Sequence, residues 1–181
     1  MRLLVGDSHI RSYVDSDVFN HSIFLGPGKE VNFISNRNTL SYFLRIFLLK
    51  NSVKIDWSET SIALVLGEPD VRFACFEDWW VDDRQIVLNK KTIQNSIRKS
   101  IRRINHFLSA LQLTKLAQCD LVIGAGTPNR KLIPFAVEFN RLLKSVCDSK
   151  QILFFDPQAS VNNNGDLSDF TTMSVMNLDA I

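Results

Sequence analysis

Arg2-Leu3-Leu4-Val5 runs directly into Gly6-Asp7-Ser8-His9, and the join between these two quartets decides how the chain is read. The first quartet is short and apolar after its arginine, which predicts a strand. The second is built of turn residues and predicts a tight passage from strand to helix. A serine in such a turn stands above the sheet edge, with backbone N–H groups aimed at whatever its hydroxyl attacks. Gly-Asp-Ser alone is three common turn residues, and a helix cap at Asp7 or Ser8 explains it equally. Its position at the end of the first strand makes Ser8 a candidate nucleophile.

Working outward, further strands are expected at Ser22-Ile23-Phe24-Leu25, Ile62-Ala63-Leu64-Val65-Leu66, Leu121-Val122-Ile123 and Ile152-Leu153-Phe154-Phe155. Asn38 to Leu49, Lys90 to Leu116 and Arg130 to Cys147 read as helices. In the second of these, Ile93, Ile97, Ile101, Ile104, Leu108 and Leu111 repeat at three and four, as an amphipathic helix requires. Strands alternating with helices predict an α/β protein, a three-layer α/β/α sandwich around a mostly parallel five-stranded sheet. With 181 residues, no repeat and no linker, one domain over 1–181 is expected. Six of the seven glycines (Gly6, Gly26, Gly28, Gly67, Gly124, Gly126) and four of the five prolines follow a proposed strand. In a parallel sheet this gathers irregular backbone on the carboxyl edge, where open α/β folds place their ligand sites. The simpler reading is that every strand needs a turn after it.

Hydrophobic residues at 45% and charged residues at 22% exclude a disordered chain. A chain of this length buries about 70% of its unfolded surface, so it needs no disulfide or metal to hold a core. A net charge of +2 gives no global reason to expect a nucleic-acid partner. Cys75, Cys119 and Cys147 are odd in number with no C-x-x-C, and they read as core-filling residues rather than a disulfide framework or zinc site. No metal and no cofactor are expected. Gly124-Ala125-Gly126 lacks the full dinucleotide fingerprint and does not follow the first strand. The run Leu3-Leu4-Val5 is too short for a signal peptide, and Arg45 breaks the apolar stretch from Tyr42 to Leu49. A cytoplasmic chain with no membrane partner is expected.

Val5-Gly6-Asp7-Ser8-His9 resembles the first block of the SGNH (GDSL-type) hydrolases, serine esterases and acyl hydrolases on a flavodoxin-like α/β/α sandwich. Phe24-Leu25-Gly26-Pro27-Gly28 falls where that family places its second block. Leu64-Val65-Leu66-Gly67-Glu68-Pro69-Asp70 falls at the third block, Gly-x-Asn-Asp. Val122 to Asn129 resembles the end of the fourth strand. The resemblance spans the chain in order and spacing. Gly-Asp-Ser-His with Gly67-Glu68-x-Asp70-x-Arg72 is similar to a subgroup associated with glycan or capsule genes. The resemblance implies Ser8 as nucleophile, with the backbone N–H groups of Ser8 and Gly26 as oxyanion donors. Glu68, Asp70, Arg72, Asn129 and Trp79 are the further candidates for oxyanion or substrate binding. The substrate class it implies is a small-molecule or glycan ester, with acylated carbohydrate foremost.

Two departures set the expected activity. Pro69 stands where the family has an asparagine amide, and it has neither a side-chain donor nor an N–H. Glu68 beside it would repel an oxyanion when ionised. Arg72 is the candidate replacement donor, against an ion pair with Glu68 or Asp70. The family's base is a histidine three residues after an aspartate. Asp179 sits at the aspartate position, and the histidine would fall one residue past Ile181. His9 adjoins Ser8 and points elsewhere, His21 precedes the second strand, and His106 lies mid-helix. Each reads as structural, so the 181-residue chain is expected to be weak or inactive. The frame is then either truncated, or the base comes from elsewhere.

Two segments suggest ligands. Lys90 to Arg103 holds six basic residues (Lys90, Lys91, Arg98, Lys99, Arg102, Arg103) and no acidic one. It is either an anion-binding patch or the solvated face of an amphipathic helix. Glu77-Asp78-Trp79-Trp80-Val81-Asp82-Asp83 combines indoles and carboxylates, which suit sugar rings, or is a loop anchored on the core by two tryptophans. Two functions of other classes stay open: a non-catalytic glycan-binding member of the same fold, and a flavodoxin-like domain for a phosphorylated ligand.

Overall fold

The computed structural model describes residues 1–6, 10, 13, 17–24, 59–75, 89–114, 118–127 and 129–159. Five strands, β1 (Arg2–Gly6), β2 (His21–Phe24), β3 (Ser61–Val65), β4 (Gln118–Ile123) and β5 (Leu153–Phe155), form one sheet in the order β2-β1-β3-β4-β5. Every neighbouring pair is parallel, with Gly6 opposite both Phe24 and Val65 and Ile123 opposite both Val65 and Phe155. The α/β class and the five-stranded parallel sheet expected from the alternation are therefore present. The expected helix from Asn38 to Leu49 lies outside the described residues.

The short apolar runs form strands because both faces of the sheet are covered. Leu3, Val5, Ile62, Leu64 and Val122 point to one core, and Leu4, Ala63, Val65, Leu121 and Ile123 to the other. This alternation is the period of two that a strand imposes. Three helices cover the first face: α1 (Glu68–Cys75), α2 (Lys90–Thr114) and α3 (Ile133–Ser149). Ile10, Tyr13 and Phe19 pack on the second, with Val18 against them.

Helix α1 was not expected from the sequence, which reads as loop punctuation there. Its first turn explains it. Pro69 occupies a helix start where its missing N–H costs nothing, and Glu68 and Asp70 bring negative charge to the helix N-terminus. Val71, Ala74 and Cys75 then bury one side. Helix α2 is capped by Asn89, whose Oδ1 accepts from the Thr92 N–H at 2.9 Å and from the Thr92 hydroxyl at 3.1 Å. All six apolar positions of its expected stripe are buried. Helix α3 begins at Ile133 rather than Arg130, because Pro134 marks the first turn and the Asn129 carbonyl accepts from the Leu132 N–H at 2.8 Å in the turn before it. Among the described residues no helix is long and apolar enough to cross a membrane.

Candidate active site

The strand order reverses direction at β1, whose neighbours are β2 on one side and β3 on the other. Ile10 and Tyr13, after β1, pack on one face and α1, after β3, on the other, so the carboxyl edge between these strands is the crevice position at which open α/β sheets hold ligands. Gly6 closes β1 at this point. A Cβ there would lie 2.7 Å from both Cβ and the carbonyl oxygen of Val65, so only glycine lets the chain leave β1 this close to β3. Asp7 and Ser8 follow Gly6 in the sequence. Ser8, Gly26, Trp79 and Asp179 lie outside the described residues.

The other wall of the crevice leaves β3 through Leu66 and Gly67. Gly67 has φ +108°, a backbone state that side chains disfavour. A Cβ on it would also overlap the Phe139 ring of α3, at 2.5 Å from Cζ. The turn is thus pressed onto α3, and it delivers Glu68, Asp70 and Arg72 to the carboxyl edge on α1. Glu68 is 5% exposed and Asp70 4%. Arg72 donates to Glu68 Oε1 from Nε at 2.8 Å and also from Nη2. Of the two sequence readings for Arg72, the ion pair with Glu68 is present. Its charge serves a buried carboxylate one turn away, and this also answers how Glu68 is tolerated there.

Asn129 sits one strand further along, at the carboxyl end of β4. Its N–H donates to Thr127 Oγ1 at 3.2 Å, and its Oδ1 accepts from the Lys131 N–H at 3.0 Å. In this arrangement its side chain organises the turn into α3. It is not brought together with the Glu68–Arg72 pair by any bond among the described residues.

The sequence reading missed the polar network that fixes this edge. Asn140, on the buried face of α3, is 0% exposed. Its Oδ1 accepts from the Ala125 N–H at 2.7 Å, and its Nδ2 donates to the Ala125 carbonyl at 2.8 Å and to Asp156 Oδ1 at 2.7 Å. Asp156 Oδ1 also accepts from the N–H groups of Gln158 and Ala159 at 3.0 and 3.1 Å. Gln158 Oε1 accepts from the Thr127 N–H at 2.9 Å. Gly124 makes room for this, since a Cβ on it would lie 2.5 Å from Asn140 Oδ1. The signals were an asparagine among Ala136, Phe139, Leu143 and Cys147, and an aspartate directly before Pro157.

Two histidines are described, and both stand away from the crevice. His21 opens β2 opposite Leu3, on the amino side of the sheet, and His106 is exposed along α2. Cys75, Cys119 and Cys147 are free and buried. Burial pushes the Cys75 and Cys147 thiols up to about 12 and Cys119 higher still, so none is a thiolate nucleophile near neutral pH. Among the described residues no group of three His, Cys, Asp or Glu side chains could hold a metal ion.

No family model matches the sequence, and neither does any curated protein. Solved structures do match. A catalytic mutant of Axe2, an acetylxylan esterase from Geobacillus stearothermophilus, aligns over 90% of this chain and 78% of its own with TM-score 0.54 and 11% identity. A second catalytic mutant of the same esterase gives TM-score 0.50 and 10% identity over the same shares, 90% and 78%. The fold is that of the SGNH hydrolases. A phospholipase A1 from Streptomyces albidoflavus also aligns, with TM-score 0.45 and 13% identity over 89% of this chain and 80% of its own.

Proposed function

We propose that this chain is a serine ester hydrolase of the SGNH type, folded as one domain, with Ser8 as nucleophile. The observation that supports the reading is Gly6: it ends β1 against Val65 at the switch point, and Ser8 follows it by two residues in the sequence. In the reaction, Ser8 Oγ attacks the ester carbonyl carbon while a base takes its proton. The carbonyl oxygen becomes an oxyanion, received by the backbone N–H groups of Ser8 and Gly26. The intermediate collapses, the alcohol leaves with the proton, and water then hydrolyses the acyl-serine. Asp179 would orient a histidine placed at position 182. Glu68, Asp70 and Arg72 form the β3 wall, where Pro69 supplies no donor and Arg72 already serves Glu68. Asn129 and Trp79 would contact the substrate.

The proposed substrate class is an acylated, above all acetylated, carbohydrate. Trp79 and Trp80 beside acidic residues support it, as does the likeness to an acetylxylan esterase. Three buried free thiols support a reducing, cytoplasmic setting.

The test is hydrolysis of a small acetyl ester by the 181-residue chain, by the same chain extended with histidine and a few apolar residues, and by Ser8→Ala of each. General base catalysis contributes roughly 10²–10⁴-fold. The extended chain should be faster by that order, and Ser8→Ala should abolish the gain. Equal rates with and without the extension, both lost in Ser8→Ala, would place the base elsewhere in the chain. Turnover untouched by Ser8→Ala would remove the reading altogether.

A further inference from the structure

Helix α2 departs from its neighbour in charge. On α3, surface charges are matched in place: half-buried Glu138 accepts from Arg141 at 2.9 and 3.0 Å, and Lys144 donates to Asp148 at 2.8 and 2.9 Å. This is how a solvated helix face is ordinarily built. The 25 residues of α2 contain no acidic side chain, and its six basic ones all fall between Lys90 and Arg103. Lys90, Lys91, Arg98, Lys99 and Arg102 are exposed, and Arg103 is half-buried. Among the described residues none of the six is ion-paired. Lys90 and Lys91 also oppose the positive end of the helix dipole, an arrangement that costs stability. Of the 21 basic side chains in the protein these six leave 15, against 19 acidic ones. The rest of the chain is therefore acidic on balance, and the excess positive charge is concentrated on this one face.

The placement of this charge along the sheet is also defined. The far end of α2 is tied to the amino edge, where Lys150, just before β5, donates from Nζ to Ser109 Oγ at 2.7 Å and accepts from Gln112 Nε2 at 3.2 Å. Helix α2 is about 37 Å long, whereas β4, at six residues, spans about 20 Å. Its N-terminal half consequently reaches the carboxyl edge, which is the half that carries all six cations. Arg98 also acts on Glu138, one turn and a half into α3 from that edge. The cations thus lie towards the carboxyl edge, beside α3.

We propose that the N-terminal half of α2 binds a negatively charged polysaccharide, so that the ester presented to the crevice is carried on an acidic glycan chain. The substrate part of this inference rests on the ester-hydrolase reading; the binding part does not. The exposed positions between the cations are Thr92 and Asn95, neutral hydrogen-bonding groups suited to sugar hydroxyls. No aromatic side chain falls between Lys90 and Arg103, so the stacking platform of single-stranded nucleic-acid binders is missing from this half of the helix. The apolar stripe is spent on the core, which removes the means of inserting into a membrane.

The experiment measures binding of the 181-residue protein to oligogalacturonate, to neutral xylo-oligosaccharide and to duplex DNA between about 50 and 200 mM salt. The same is done with Lys91→Gln/Arg98→Gln/Arg102→Gln, whose exposed positions leave the core untouched, with circular dichroism as the check on folding. Oligogalacturonate should bind tightest, weaken about tenfold or more as salt rises, and lose about tenfold in the triple variant. No binding, unchanged affinity in the folded variant, or tighter binding to neutral glycan or duplex DNA each overturns the proposal. Ester hydrolysis is read separately on a small neutral acetyl ester with the chain extended with histidine, in which the triple variant should match its parent. A failure of the hydrolase reading is thereby distinguished from a failure of this one.

Discussion

Asn140 holds Ala125 by both of its backbone polar groups, taking its N–H at 2.7 Å and giving to its carbonyl at 2.8 Å. The amide thus stands in for a missing strand neighbour just beyond the end of β4, and its remaining N–H ties that end to Asp156 beyond β5. The carboxyl ends of two strands are fixed through one side chain that sees no solvent.

Asn140→Ala should therefore be severely destabilising. It leaves two buried backbone groups unpaired, each costing about 1–3 kcal/mol, and opens a cavity. A loss of about 3 kcal/mol or more is expected in urea unfolding. Asn140→Asp keeps the acceptor and loses the donor, placing a carboxylate against Asp156, and should be no milder. A loss below about 1 kcal/mol in Asn140→Ala would mean that the network is not a structural tie.

Gly67 and Phe139 form a second tie, between the turn after β3 and α3. Gly67→Ala should cost about 3 kcal/mol or more, because positive φ and ring overlap act together. Phe139→Ala alone should cost about 3–5 kcal/mol. In the double variant the overlap is gone and only the backbone penalty is added to the lost ring. Its destabilisation should fall clearly short of the sum of the two. Strict additivity in a double-mutant cycle would show that the ring does not press on the turn.

The thiols predict an alkaline limit. Burial pushes the Cys75 and Cys147 thiols up to about 12 in the folded protein, so from about pH 9, where an exposed thiol ionises, the unfolded chain loses protons that the folded chain keeps. Stability is whole below pH 9 and declines as pH rises towards 12. Replacing Cys75 by Ala should flatten this decline in unfolding measured at pH 8, 9 and 10. In native buffer an aromatic disulfide reagent should react slowly with all three thiols and rapidly after denaturation. Rapid reaction of the native protein would contradict their burial.

The sheet was legible because its central strands are covered on both faces. Ile62 to Leu66 is apolar without interruption for that reason, and no turn or cap chemistry competes with the pattern. The stripe of α2 was legible because the isoleucines repeat over many turns. Helix α1 was not, since it is eight residues long and opens on Glu68-Pro69-Asp70, letters that serve a helix start and a loop equally. The choice between them is made by Val71, Ala74 and Cys75 finding a core, which is a tertiary event. Asn140 was hidden for a related reason. Its partners, Ala125 and Asp156, are on other elements, and a polar letter in an apolar helix face does not say what it will meet. Arg72 was legible as a choice of roles, and proximity to Glu68 on the same helix face decided it.

The most direct test of the central claim is mass-spectrometric mapping of a fluorophosphonate adduct on the chain extended with histidine. An activated serine at the β1–β3 crevice predicts one adduct, on Ser8, formed faster than in the 181-residue chain and absent from Ser8→Ala. No adduct on the folded protein, or an adduct on another residue that persists in Ser8→Ala, would contradict it.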